Sequence, residues 1–183
     1  MDEDKRIIEN FLDGDELAFE ELLNKYLKPI HGFLYQMTKD FSVVQDLSQE
    51  TFIKVWKNIN RFDRKKSFKT WIFTIAKNTA YDYFKKKKTI PFSFFEAEGE
   101  NNKLENITGD NILPDRILEK KDIASELEKK MQEIPENYRV LLTLRYKEDF
   151  SLSEIAEILD KPYNTIKSSH QRALKSLKQV LDA

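Results

Sequence analysis

Apolar residues recur every three or four positions through most of this chain, and nowhere do they alternate over a useful length. From Asp15 to about Lys39, Leu17, Leu22, Leu23, Tyr26, Leu27, Ile30, Phe33, Leu34 and Met37 keep a helical period. A half-buried strand needs period two, so the pattern commits the chain to helices. Breakers are few, with 4 Gly and 5 Pro among 183 residues. Charged residues make up 34% of the chain, which suits helices with much wetted surface. Pro29 is expected to kink the first helix or split it. Ser42-Val-Val-Gln has a capping-box pattern and predicts a second helix from Ser42 to about Asn60. A third is predicted from about Ser67 to the Lys85–Lys88 cluster.

The period fails over residues 89–114, where two Pro, two Gly, several Asn and many acids read as a linker. It returns at Asp115. Ile134-Pro135-Glu136 marks a helix restart with proline in the first turn. Ser151-Leu-Ser-Glu154 is a second capping box, Asp160-Lys-Pro162 a turn, and Tyr163–Leu181 a long helix. The expected organisation is all-α: two small helical domains, residues 1–88 and 115–183, joined by a flexible acidic linker over 89–114.

The net charge of −1 conceals strong blocks. Residues 51–88 carry 12 basic and 2 acidic side chains, whereas residues 1–50 carry 5 and 12. One segment is suited to polyanions and its neighbour is not. With no cysteine there are no disulfides or thiolate ligands. His31 and His170 lie far apart, which argues against zinc, and no cofactor is expected. No apolar run approaches membrane-span length, so no membrane insertion is expected. The acidic start lacks the order of a signal peptide. The expected location is cytoplasmic.

The basic segment is also aromatic. Arg61–Lys88 holds seven aromatics and ten basic residues in 28 positions. On a helix, Phe68, Trp71, Ile72, Ile75, Ala76, Thr79 and Tyr83 form one stripe, the expected core face. Lys69, Phe73, Lys77, Tyr81, Phe84 and Lys88 lie opposite. Either Phe73, Tyr81 and Phe84 pack on another helix, as buried aromatics usually do, or they stack on unpaired bases while lysines neutralise phosphates. The loop Arg61–Lys66 adds further basic residues.

A second unit, residues 151–177, has a capped short helix, a tight turn and a longer helix, the layout of a helix-turn-helix. Ile155, Ala156 and Leu159 are expected to face Ile166, Ala173, Leu174 and Leu177. The other face of the long helix presents Asn164, Thr165, Ser168, Gln171, Arg172, Lys175 and Gln179, flanked by Lys167, with donors and acceptors that read base edges and phosphates. His170 falls in the apolar stripe.

These motifs resemble a known family. Asp46-Leu-Ser-Gln-Glu-Thr-Phe52, Trp56, Arg61-Phe62, Ser67-Phe-Lys-Thr-Trp71 and Ile75-Ala-Lys-Asn78 resemble region 2 of bacterial sigma factors. Ile134-Pro-Glu-Asn-Tyr-Arg139 and Ser151–Leu177 resemble region 4. Two domains with a short linker resemble the extracytoplasmic-function (ECF) group of the sigma-70 family. The resemblance implies a non-enzymatic factor that binds core RNA polymerase at its β′ clamp helices and β flap, directs initiation at promoter DNA, and is held off by an anti-sigma factor. It implies core-polymerase contacts at Asp46, Gln49 and Glu50; Ile53, apolar on the same outer face, is a partner-surface cue. It implies −10 contacts along Arg61, Phe62, Arg64, Lys65, Lys66, Ser67, Lys69, Phe73, Lys77, Asn78 and Tyr81, with the loop and Asn78 lining a pocket for a flipped base. It implies −35 contacts at Thr165, Lys167, Ser168, Gln171, Arg172 and Lys175. Asn164, Ser169 and His170 depart from residues common in the family and bear on which −35 sequence is read.

The linker is long enough for both elements. Its 26 residues reach about 90 Å at most, and elements some 17 base pairs apart are about 58 Å apart. Its acids outnumber its one basic residue, Lys103, and Phe92, Phe94 and Phe95 are candidate anchors at its start. Two other classes compete. A dimeric helix-turn-helix repressor would leave the basic aromatic segment without a role. A nuclease would need a carboxylate cluster, and Asp63 and Asp82 are the only acids in the basic region.

Overall fold

The computed structural model describes residues 3–87 and 129–182, all of them helix, turn or irregular segment. The linker reading, with Phe92, Phe94, Phe95 and Lys103, lies outside the described residues. Four helices form the first half: α1 (Glu3–Leu12), α2 (Glu16–Thr38), α3 (Phe41–Asn58) and α4 (Phe68–Lys87), with a 3-10 turn at Ile59–Arg61. The second half contains α5 (Glu136–Leu142), a π-helical turn at Thr143–Lys147, α6 (Leu152–Leu159) and α7 (Tyr163–Leu181).

Local chemistry sets the boundaries. Asp15 caps α2 by accepting from the Leu17 amide at 3.1 Å. Pro29 neither splits nor ends α2, which runs on to Thr38. Lys39, left-handed at φ 57°, turns the chain out of it. Asp40 then accepts from the amides of Ser42 and Val43 and from the Ser42 hydroxyl. The cap of α3 is therefore Asp40, not Ser42: a carboxylate bonds two amides at once and suits the positive helix end. Helix α1, unforeseen in the sequence, packs Ile7 and Ile8 into the core. It is tied to α2 by Lys25 on Glu3 and Asp4, at 2.7 and 2.6 Å.

In the second half Pro135 precedes α5, and Ser151 with Glu154 makes the expected reciprocal capping box. The packing of α7 differs from the sequence expectation. Ile155 and Leu159 share the main core with Ile166, but Ala173 and Leu177 sit in a small separate cluster with Ile134 and Leu142. The reason is length. Eight-residue α6 spans ~12 Å and 19-residue α7 spans ~28 Å at 1.5 Å per residue, so α5 covers the far half of α7.

Helix α4 is buried on two sides. Phe68, Ile72, Ala76 and Thr79, expected in the core, are buried as α4 packs on α2 and α3. On the far side Thr70, Phe73, Lys77 and Ala80 are buried too, as α4 packs against α6. One apolar cluster consequently runs from Leu22 and Phe33 through Phe73 to Phe150 and Ile155, joining both halves.

Candidate nucleic-acid interface

Three surfaces carry the candidate residues. The first is the outer face of α3. Leu47, Thr51 and Val55 turn inward and are buried. Asp46, Gln49 and Ile53 turn outward, with Ile53 at 52% exposure. Glu50 is half-buried and pairs with Lys54 at 2.9 Å. Trp56, at 56% exposure, completes the face one turn beyond Ile53. Its role was not drawn out from the sequence, yet the spacing 49, 53, 56 would have put it there. The exposed indole and the exposed isoleucine together form an apolar patch on the outer face of α3.

The second surface is the 61–67 loop and α4. Phe62 is 7% exposed and packs edge-on to Phe68 and against Trp71, with centroids at 5.5 and 5.1 Å. It anchors the loop from beneath. Asp63 folds the loop, its carboxylate accepting from the Lys65 amide and its carbonyl from the Lys66 amide. Arg61, Arg64, Lys65, Lys66 and Ser67 are left exposed, as is Asn78. Arg64 reaches Glu9 of α1 at 3.5 Å.

The remaining candidates on α4 are buried, as Phe73 and Lys77 are, or half-buried, as Lys69 and Tyr81 are. Phe73 is fully buried between Phe33 and Phe150, at centroid distances of 5.2 and 5.0 Å. Lys77 is 5% exposed, its ammonium over the Tyr81 ring at 5.2 Å. Burial lowers the Lys77 pKa; Asp160 partly opposes this and Lys161 adds to it. Half-buried Tyr81 has its phenol pushed well up by burial, then by the Asp160 charge. Lys69 donates to the Glu148 carbonyl and lies over the Phe150 ring at 4.7 Å. The packing reading of the far-side aromatics therefore holds for Phe73 in this arrangement, and the helix it packs on belongs to the other half of the chain.

Four acidic residues of the second half lie against the loop and α4: Glu157 beside the loop, and Glu148, Glu154 and Asp160 beside the helix. Glu154 accepts from the Thr70 hydroxyl at 3.4 Å and Glu157 lies 3.9 Å from Lys66. Burial pushes the Glu148 carboxyl up. In Glu154 burial acts the same way, but bonds from Ser151 and Thr70 outweigh it and the pKa is lowered. No periodicity rule could have revealed this pairing, because it joins residues about 80 positions apart.

The third surface is α7. Ile166, Ala173 and Leu177 are buried, while Thr165, Lys167, Gln171 and Lys175 are exposed and Ser168 and Arg172 half-exposed. The Ser168 hydroxyl donates to the Thr165 carbonyl at 3.0 Å. His170 is half-buried, its Nε2 3.0 Å from the Tyr146 hydroxyl, and burial with the Arg145 charge lowers its pKa. It braces the long helix against the π-helical turn.

Comparison with known proteins agrees with this layout. Residues 22–90 match the model of sigma-70 region 2, and residues 123–177 that of sigma-70 region 4. The chain is 30% identical over 181 residues to the ECF RNA polymerase sigma factor SigW of Bacillus subtilis, covering 97% of this chain and 96% of SigW. It is 31% identical over 187 residues to the RNA polymerase sigma-H factor of Pseudomonas aeruginosa, covering 99% and 95%. The fold is similar to that of CnrH, solved with the cytosolic domain of CnrY, at a TM-score of 0.65 and 18% identity over 98% of this chain and 97% of that one. It is also similar to the sigma factor RpoE of Bartonella quintana, solved with the anti-sigma factor NepR, at 0.64 and 22% over 90% and 97%. With matches to both regions in order and a 30% identical relative along almost its whole length, the chain belongs to the ECF sigma factors of the sigma-70 family.

Proposed function

We propose that this ECF sigma factor divides its work among the three surfaces. The outer face of α3, with Asp46, Gln49, Glu50, Ile53 and Trp56, docks on the β′ clamp helices of core polymerase. The 61–67 loop and the far face of α4 hold the non-template strand of the −10 element, the loop cations on phosphate and the aromatics on bases. Helix α7 enters the major groove at the −35 element with Gln171 and Arg172 toward base edges and Lys167 and Lys175 toward the backbone. Residues 1–88 and 115–183 are the two functional domains and 89–114 their linker. The factor lends specificity and performs no catalysis of its own. It works where polymerase and promoter DNA meet, the cytoplasm; among the described residues no helix is long and apolar enough to cross a membrane.

The observation that carries this reading is the open polar face of α7 on a region 4 match, in one chain with a region 2 match whose loop exposes four cations and a serine. Because two proteins of similar fold were solved in complexes, CnrH with the cytosolic domain of CnrY and RpoE with the anti-sigma factor NepR, an anti-sigma factor is also proposed as a partner. Transcription from a pool of genomic fragments by purified core polymerase, with and without this protein, tests the assignment. Specific starts that require the protein and fall away in Asp46→Ala/Gln49→Ala support it. Tight binding to duplex DNA with no effect on core polymerase would overturn it.

A further inference from the structure

We infer that the acidic edge of the helix-turn-helix half is an internal stand-in for the −10 strand, holding the strand-binding face of α4 closed in the free protein. The inference rests on the proposed strand-binding role of α4.

The edge presents an aromatic ring framed by oxygen acceptors, as a nucleotide does. Phe150, 1% exposed, meets Phe73 edge to face. The Lys69 ammonium touches both the Glu148 carbonyl and the face of that ring. Glu154 takes the Thr70 hydroxyl, Glu157 lies toward Lys66, and Asp160 is the opposite charge acting on Lys77. Lys66, Lys69 and Thr70 thus meet an acidic or carbonyl oxygen of the other half, Phe73 meets its Phe150 ring, and Lys77 lies in the field of Asp160. A strand reaching Lys69, Phe73 and Lys77 must first displace Phe150 and these acids.

The contact is built to release. Its exposed ion pair is weak in water, and separated lysines can exchange carboxylate for phosphate. Burial of the Lys77 ammonium works against closure. The other DNA surface is unaffected, because Thr165, Lys167, Gln171 and Lys175 of α7 stay exposed. The free protein is therefore closed at −10 and open at −35.

The chain has no cysteine, so cysteines placed at exposed Lys28 and Lys178 can carry a donor–acceptor dye pair on the full-length protein. The test variant is Glu157→Gln/Asp160→Asn. Asn keeps the left-handed φ of 53° at position 160. Asp13→Asn/Glu20→Gln, at exposed positions of the first half, is the charge-matched control. The probe is a fluorescein-labelled pool of random 12-nucleotide single-stranded DNA. The test variant is expected to lose energy transfer and to bind the strand about fivefold tighter or more, since apparent affinity scales with the open fraction. Unchanged transfer and affinity overturn the inference directly, and an equal gain in the control overturns it as a bulk charge effect. Lost transfer with no gain in binding overturns it through its premise, the strand-binding role of α4, while the transcription assay reads the sigma activity separately.

Discussion

The rings of Phe73 and Phe150 meet edge to face across the two halves of the chain, with centroids 5.0 Å apart and planes at 75°. Each is at most 1% exposed. Truncating either to alanine should cost ~3–5 kcal/mol, the range for buried Phe→Ala. The informative quantity is their coupling. A double-mutant cycle by urea unfolding is expected to give ~0.5–1.5 kcal/mol, the value for a well-oriented aromatic pair. Strictly additive losses would mean that the two halves do not pack this way in solution.

The same interface should respond to pH. Burial lowers the pKa of Lys77, with Asp160 opposing and Lys161 adding; burial then Arg139 lowers that of Lys39, with Glu136 opposing. Both lysines face the second half, so the closed form binds fewer protons than the open one. Closure is weakest below the lowered values and strengthens as pH rises through them. The gain ends near pH 10, where Tyr81 begins to ionise when exposed, because burial and then Asp160 push its pKa up in the closed form. Energy transfer across the interface should therefore rise from pH 7 to about 10. A Lys77→Met variant should flatten much of that rise, and an unchanged slope would show that Lys77 is not buried on closing.

How far the sequence reveals this molecule depends on the range of each interaction. Ser151 and Glu154, three residues apart, make the capping box their spacing predicts, and Phe68, Ile72, Ala76 and Thr79 of the expected core stripe of α4 are buried. Local rules slip where two polar residues compete, as when Asp40 takes the cap from Ser42. They fail for Ala173, whose partners depend on helix length. They also fail for Lys77, which periodicity places on an outward face and which the other half of the chain covers. The family motifs made the function legible because they specify chemistry, but they say nothing of which surfaces touch when no polymerase is present.

Helix α6 depends on its cap. The Ser151 hydroxyl accepts from the Glu154 amide at 3.2 Å, and the Glu154 carboxylate accepts from the Ser151 amide at 2.9 Å. Ser151→Ala should cost ~1 kcal/mol, with values up to ~2 where the helix is short and packed. The Glu154 pKa is lowered: burial acts upward, but the bonds from Ser151 and Thr70 and the Lys69 charge prevail. Its contribution is therefore present above the ordinary carboxylate range and is lost as pH falls through the lowered value. Thermal unfolding at pH 7 and pH 4 should show the wild type losing more stability than Ser151→Ala between the two. Equal losses would mean that the cap does not hold the carboxylate ionised.

Trp56 offers the cleanest separation of binding from folding. Its side chain is more than half exposed and lies on the face that carries Ile53, Gln49 and Asp46, away from buried Leu47, Thr51 and Val55. Removing it should leave the fold within ~0.5 kcal/mol, as for most surface substitutions. If the outer face of α3 docks on core polymerase, the indole has the character of an interface anchor: large, rigid and desolvated on contact. Truncating such an anchor costs ~2 kcal/mol or more, which is about 30-fold in affinity at 1.4 kcal/mol per decade. Trp56→Ala is therefore expected to bind core polymerase some 30-fold more weakly with unchanged unfolding. Lys57→Ala, one position on and also exposed, should lose far less and depend more on salt. Full affinity in Trp56→Ala would move the polymerase contact off this end of α3.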